Sequence, residues 1–249
     1  MSSLREHIEL FRLAALTSPV TETVLTDRGF DNVVRLFQIA GGRTVVSRTG
    51  RSFGDAAIRR NRLLIERGVP TPAILAATER SALFDFAPGT LLGDLIDTQV
   101  CGSEAWRAVG AAYRRVHSVD ADVDVISALG VDVPTIDPVE RAHADVEGSR
   151  TGIERRLPEA IRYLPALHAL IDVAAHSLRS APVRLLHGDV NMWNVLVDGH
   201  DAWIIDWDDP AIGDPAMEIA LLDKHASLFD GVGLDAAFFE GYGQSCVEP

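Results

Sequence analysis

The chain has 249 residues, which is long enough for one large domain or for two lobes with a cleft between them. Its 36 acidic residues outnumber its 23 lysines and arginines, and the net charge of -13 argues against binding to nucleic acid backbones and would suit a cationic substrate. Cys101 and Cys246 lack the spacing of a metal site or a redox motif, and no apolar run is long enough to cross a bilayer, so we expect a cytoplasmic protein with no membrane partner.

The N-terminal third has the pattern of a small antiparallel sheet with two helices. Residues 1–16 mix charged and apolar side chains in the manner of a soluble amphipathic helix. Runs rich in β-branched residues, separated by turns at 27–29 and 41–42, predict strands over 20–25, 33–39 and 44–48. A helix over 55–67 and a strand pair over 73–76 and 82–86 are predicted to follow.

Helices are predicted to dominate after Ala87-Pro88-Gly89, which breaks the chain. This break is the predicted linker between two lobes, residues 1–87 and 88–249. The helix predicted over 104–117 has one apolar stripe, which we interpret as core: Trp106, Val109, Tyr113 and Val116. Residues 120–150 are acidic and interrupted by proline, which fits a solvated surface or part of a substrate-binding wall. Further helices are predicted over 158–180 and near 238–242.

Three polar residues are predicted to meet at one end of a β-hairpin. The loop 187–194 contains Asp189 and ends at Asn194, and two apolar runs around Asp198-Gly199 then read as paired strands. Asp206 follows the second run. Because a hairpin folds the chain back on itself, we expect Asp189, Asn194 and Asp206 to lie at a common rim.

These three side chains suit phosphoryl transfer. The reaction is catalysed mainly by positioning and by neutralising charge on the phosphate oxygens. One carboxylate must orient the acceptor hydroxyl and accept its proton, and further oxygen atoms must bind Mg²⁺, which prefers carboxylate and amide ligands. We predict Asp189 for the first task and Asn194 and Asp206 for the second. His187 is interpreted as a residue that packs the loop.

The same segment resembles a known family. The offset from Asp189 to Asn194 matches the loop His-x-Asp-x-x-x-x-Asn of kinase-like enzymes. Together with Ile205-Asp206-Trp207 and Gly213-Asp214-Pro215, it resembles the aminoglycoside phosphotransferase family, which also includes choline, homoserine and fructosamine kinases. Ordered landmarks extend the resemblance over residues 20–243, among them 29–32, 68–72 and 116–120.

The resemblance implies a bilobal, protein-kinase-like α+β fold, with a sheet-containing nucleotide lobe and a mainly helical catalytic lobe. It implies Mg²⁺ and ATP or GTP, Asp189 as catalytic base, Asn194 and Asp206 as metal ligands, and Asp214 as a residue that stabilises the loop. The backbone of the linker segment from Phe84 to Phe86 is expected to bind the nucleotide base.

The nucleotide lobe departs from the family pattern. Such enzymes usually place a lysine on the third strand, paired with a glutamate on the next helix, to hold the nucleotide phosphates. Here Arg48 takes the strand position, and its planar fork can also neutralise phosphate. The helix positions where we would align the glutamate hold other residues (Ala57, Arg59 and Asn61). Asp55, the nearest acid upstream, could take the place of the glutamate or cap the helix, and Glu66 lies close to the helix end. The predicted phosphate loop is poor in glycine, since Gly29 is the one glycine in it.

The acceptor is less well defined by the sequence. Asp208, Asp209 and Glu218 follow Asp206 and could contact an ammonium-bearing substrate, although the position of Glu218 also suits a structural role. We expect the acceptor to be the hydroxyl of an aminoglycoside or another antibiotic, which would make the enzyme an antibiotic resistance factor. The alternatives are a metabolic kinase of the choline, homoserine or sugar type and a pseudokinase that binds nucleotide without transferring phosphate. The sequence leaves the oligomeric state open.

Overall fold

The computed structural model describes residues 2–16, 19–25, 33–50, 53–131, 136–230 and 233–243. The predicted turn at 27–29, the predicted phosphate loop around Gly29, and Cys246 lie outside these ranges.

The N-terminal part is built around a five-stranded sheet. Its strands are β1 (Pro19–Leu25), β2 (Val33–Ile39), β3 (Thr44–Thr49), β4 (Ile74–Ala77) and β5 (Ser81–Asp85). They pair antiparallel in the order β1-β2-β3-β5-β4, and each predicted strand is found within one or two residues of its expected bounds. Two helices accompany the sheet, α1 (Ser2–Leu13) and α2 (Gly54–Glu66). Leu10 and Phe11 of α1 pack with Phe37 of β2 in a buried cluster.

The remainder is mainly helical. The elements in chain order are β6 (Thr90–Leu91), α3 (Leu92–Asp97), α4 (Ser103–His117), α5 (Val123–Leu129), α6 (Pro138–Arg156), α7 (Leu164–Ser180), β7 (Arg184–Leu186), β8 (Val195–Asp198), β9 (Asp201–Ile204), β10 (Ala211–Gly213), α8 (Pro215–Asp230) and α9 (Ala236–Tyr242). β6, β8 and β9 form one small sheet, and β7 pairs with β10 in another. No helix among the described residues is long and apolar enough to span a membrane.

The largest hydrophobic cluster surrounds α4. The predicted apolar stripe of this helix is buried at all four positions, which confirms its interpretation as core. Leu64 and Val69, at the end of α2 and just beyond it, join the same cluster, and the Ile204 amide donates to the carbonyl of Pro70 at 2.8 Å. The core of the helical part therefore reaches into the chain before residue 88, and the predicted lobe boundary stays a prediction.

The acidic region 120–150 contains more regular structure than its composition suggested. It forms α5 and most of α6, and each helix begins after an aspartate whose side chain accepts backbone N–H groups, Asp122 and Asp137. Val139 is the one fully buried residue of α6, which packs against the similarly exposed α7, so its sparse apolar residues gave only a weak periodic signal. The helix predicted over 158–180 is divided into a 3-10 segment, Pro158–Tyr163, and α7.

Candidate active site

The predicted hairpin brings Asn194 and Asp206 next to each other. β8 and β9 pair antiparallel, with Val195 opposite Ile204. One step beyond this pair, the Ile205 amide donates to the Asn194 carbonyl at 2.9 Å. Asp206 is the next residue, so the two predicted metal ligands lie on adjoining segments at the open end of the hairpin.

Asn194 also fixes the position of Asp189. Its Nδ2 donates to Asp189 Oδ2 at 3.0 Å and to the Asp189 carbonyl oxygen at 2.9 Å. Asn194 is only 7% exposed, whereas Asp189 is exposed to solvent. The buried Asn194 side chain thus fixes the accessible carboxylate of Asp189. Because the amide nitrogen of Asn194 is turned toward Asp189, its amide oxygen is the atom that can bind a metal ion.

Asp206 pairs with Arg48 across a long stretch of sequence. Arg48 Nη2 donates to Asp206 Oδ1 at 2.7 Å and to Asp208 Oδ2 at 2.8 Å. Burial raises the pKa of Asp206, the neighbouring Asp208 raises it further, and Arg48 opposes both effects. Asp206 has a φ of +66°, an uncommon conformation for a residue other than glycine. The loop backbone is therefore held in a specific shape beside the strand that carries Arg48.

The loop before Asp189 touches the loop after Asp206. Gly188 has a φ of +86°, and a Cβ placed there would lie 1.9 Å from the carbonyl oxygen of Asp209. His187 is fully buried; its Nε2 donates to the carbonyl of Ile205 at 2.9 Å, and its ring packs edge-on against Trp207. These contacts support the predicted packing role of His187.

Glu218, on α8, stabilises the loop before Asp189. One carboxylate oxygen accepts the Gly188 N–H at 2.6 Å, and the other lies 2.9 Å from His117 Nε2. His117 Nδ1 in turn lies 2.9 Å from the hydroxyl of Tyr242 on α9. Glu218 is only 3% exposed, so the geometry favours the structural role over the substrate contact that the sequence also allowed.

The other acidic residues predicted near the site are separated by the structure. Asp208 is turned toward Arg48, whereas Asp209 is exposed and its backbone contacts the Gly188 loop. Asp214 accepts the Ala216 N–H at 2.9 Å at the start of α8, and its implied role in stabilising the loop remains a prediction. The contact of Asp209 with a cationic acceptor therefore remains a prediction.

The residues expected at the nucleotide base lie at the end of β5. Phe84 belongs to the strand itself, where its ring packs edge-on against Phe53 at 6.3 Å. Phe86 follows the strand and is 44% exposed. The strand ends at Asp85, so the linker backbone begins at Phe86, two residues later than predicted, and the nucleotide contacts of Phe84 and Phe86 remain predictions.

Helix α2 does not place the usual carboxylate toward Arg48. Asn61 is buried and fastens α2 to β4, since its Nδ2 donates to the Pro72 carbonyl and its Oδ1 accepts the Ile74 N–H. Asp55 is exposed in the first turn, and the prediction that it caps the helix is wrong because Phe53 occupies the N-cap position.

Sequence analysis missed Arg60, on the same helix. Burial lowers the pKa of its guanidinium, while the nearby carboxylates of Asp208 and Asp209 oppose that shift and Arg48 adds to it. The place of Arg60 between Ala57 and Leu64, which are buried on α2, was the signal that could have found it.

The donor set fits Mg²⁺ rather than a metal held by protein alone. Magnesium is usually bound through one or two carboxylates, with phosphate oxygens and water completing the coordination. Asn194 and Asp206 supply one amide and one carboxylate. Elsewhere too, no three His, Cys, Asp or Glu side chains of the described residues are grouped so as to hold a metal ion.

The sequence matches the model of the phosphotransferase enzyme family over residues 5–248. The chain belongs to this family. The predicted family and enzyme class, a kinase-type phosphotransferase for small molecules, are thereby confirmed. No curated protein matches the sequence significantly.

Solved structures confirm the predicted α+β, kinase-like fold. A macrolide 2'-phosphotransferase from Brachybacterium faecium is 18% identical, with a TM-score of 0.63 and coverage of 98% of this chain and 84% of that one. The GDP complex of a mutant aminoglycoside 2'-phosphotransferase-IIIa is 20% identical, with a TM-score of 0.66 and coverage of 98% and 82%. An ethanolamine kinase from Plasmodium vivax is 14% identical, with a TM-score of 0.61 and coverage of 99% and 75%.

Proposed function

We propose that this phosphotransferase moves the γ-phosphate of ATP or GTP to a hydroxyl group of an aminoglycoside or another hydroxylated antibiotic. The observation that carries the proposal is the contact between Asn194 and Asp189. It joins a buried amide to an accessible carboxylate at the sequence offset of the catalytic loop in kinase-like enzymes.

Asp189 is the proposed catalytic base. Its carboxylate is exposed, so an acceptor hydroxyl can reach it, and Asn194 limits its rotation through the bond to Oδ2. A carboxylate held in this way orients the hydroxyl for in-line attack and accepts its proton as the bond to phosphorus forms. The amide of Gly188, anchored by Glu218, keeps the adjoining backbone in place.

Arg48, Asn194 and Asp206 are the proposed phosphate and metal ligands. Bound Mg²⁺ would supply charge neutralisation on the transferred phosphate. Asn194 and Asp206 would hold it through side-chain oxygens, and Arg48 would face the nucleotide phosphates from β3. Strand β3 and the loop after β9 are already linked in the structure, since Arg48 and Asp206 form an ion pair.

The acceptor class rests on charge and on the neighbouring folds. A chain of net charge -13 with the exposed Asp209 beside the site favours a cationic acceptor. The neighbours named as aminoglycoside and macrolide phosphotransferases support an antibiotic. The neighbour named as an ethanolamine kinase supports the second candidate, a metabolic amino alcohol.

The proposal is tested by a screen of ADP and GDP release with candidate acceptors, namely aminoglycosides, macrolides, cyclic peptide antibiotics, choline, ethanolamine, homoserine and sugars. We expect release that depends on Mg²⁺ and on one acceptor class, and that is abolished by Asp189→Ala. Turnover with an amino alcohol alone would favour the metabolic kinase. Nucleotide binding without turnover on any acceptor would favour the pseudokinase.

A further inference from the structure

Arg48 is shared between two carboxylates of the loop that follows β9. Its Nη2 lies 2.7 Å from Asp206 Oδ1 and 2.8 Å from Asp208 Oδ2. The side chain of Asp208 is 15% exposed and that of Arg48 is 12% exposed, whereas Asp206 is 31% exposed. The contact with Asp208 is the more shielded of the two, so water and salt weaken it less.

Helix α2 places a cation, and not a carboxylate, near Arg48 and Asp208. Its two acidic residues, Asp55 and Glu66, are exposed at opposite ends of the helix. Arg60 is partly withdrawn from water near Asp208 and Asp209. Near Arg48, helix α2 therefore carries an arginine where a glutamate is usual, and the carboxylate that contacts Arg48 comes from the loop after β9.

We propose that Asp208 is the positioning residue for Arg48, in the place that a helix glutamate takes in other kinase-like enzymes. The inference rests on the proposed function, because the task assigned to Arg48 is to bind nucleotide phosphate. Asp206 is also the proposed metal ligand, and its carboxylate cannot serve Arg48 and a divalent cation equally. Asp208 keeps its contact with Arg48 when Asp206 binds the metal.

The inference predicts how nucleotide affinity responds to Asp208. Asp208→Asn keeps the size of the side chain and removes its charge, so Arg48 loses its shielded partner. Hydrogen bonds to charged groups are strong enough that their loss weakens binding about tenfold or more. The loss should be larger with Mg²⁺ than in EDTA, because Asp206 can still hold Arg48 when no metal competes. Asp208→Glu, which restores the charge, should recover part of the affinity.

The experiment is isothermal titration of the wild type and the variants with ATP and GTP, with and without Mg²⁺. The variants are Asp208→Asn, Asp208→Glu, Arg48→Ala and the double variant. Asp201→Asn is the matched control, since Asp201 is an exposed aspartate at the start of β9. Circular dichroism checks folding, and Asp208→Ser replaces Asp208→Asn if the latter does not fold.

We expect Asp208→Asn to bind about tenfold more weakly than Asp201→Asn with Mg²⁺, and the double variant to bind no more weakly than Arg48→Ala alone. Equal affinities for Asp208→Asn and Asp201→Asn, or losses that add in the double variant, would overturn the role of Asp208. A folded wild type that binds neither nucleotide would instead contradict the proposed function.

Discussion

Replacing Gly188 with alanine tests whether the two loops of the site depend on their close contact. The new Cβ would lie 1.9 Å from the Asp209 carbonyl oxygen, a distance that real Cβ atoms essentially never show. Gly199, in the hairpin turn, is a matched control because it also has a positive φ, +57°, but a Cβ there meets nothing closer than Glu104 Oε1 at 3.8 Å. Both variants place alanine in the left-handed region, and only Gly188→Ala adds a clash.

The magnitude follows from that difference. Left-handed backbone costs an L-residue about 1–2 kcal/mol, and both variants should lose this much stability. The Gly188 loop must also retreat by more than 1 Å, and forcing extra atoms into a packed region adds about 1–3 kcal/mol. A displacement of that size at a catalytic residue lowers the rate about 100-fold. We therefore expect Gly188→Ala to be the less stable variant and to lose most of its activity, while Gly199→Ala keeps the wild-type rate constant.

Thermal unfolding and steady-state release of nucleoside diphosphate measure both effects. For a chain of this size, each kcal/mol lowers the melting temperature by about 2–4 °C. Equal melting temperatures for Gly188→Ala and Gly199→Ala, together with equal kcat values, would show that the loops do not depend on this contact.

Three further substitutions have defined outcomes. Glu218→Gln removes the buried charge that binds His117 and the catalytic loop, so the free energy of unfolding in urea should fall by about 2 kcal/mol. Asn61→Ala leaves two backbone groups without their partner and should cost about 2 kcal/mol, whereas an unchanged urea midpoint would show that α2 is held by other contacts. Arg179 holds the pKa of Asp137 below its usual range, so this group stabilises the fold above the unfolded pKa and loses that effect as the pH falls. Wild type should melt above Asp137→Asn at pH 7, with the gap closing below about pH 4; a gap that persists in acid would rule out the carboxylate as its source.

The fold of the N-terminal part could be predicted because its signals are local. β-Branched runs and turn residues mark the strands of the sheet within one or two residues. The buried apolar stripe of α4 could also be predicted, since its spacing follows the helical repeat. α6 was not found in this way, because it has one fully buried residue and few apolar side chains on the face that packs against α7, so its periodic signal is weak.

The same distinction between local and long-range signals applies to the residues of the site. The proximity of Asp189, Asn194 and Asp206 could be predicted because they lie in one short stretch whose hairpin is evident from the sequence. The partner of Arg48 was sought on the next helix, where family precedent places it, but Asp208 lies 160 residues further along the chain. The contact between Arg48 and Asp208 does not follow from local pattern, because it depends on how the loop after β9 packs against the sheet.

The central claim, that Asp189 directs phosphoryl transfer to a small-molecule hydroxyl, is tested most directly by following the labelled γ-phosphate of ATP or GTP into an acceptor. The wild type and Asp189→Asn are compared at equal, saturating nucleotide, with nucleotide affinity measured for both. We predict Mg²⁺-dependent labelling of one acceptor class by the wild type and none by Asp189→Asn, which should still bind nucleotide. Labelling by Asp189→Asn at the wild-type rate, or a wild type that binds nucleotide and labels no acceptor, would contradict the account.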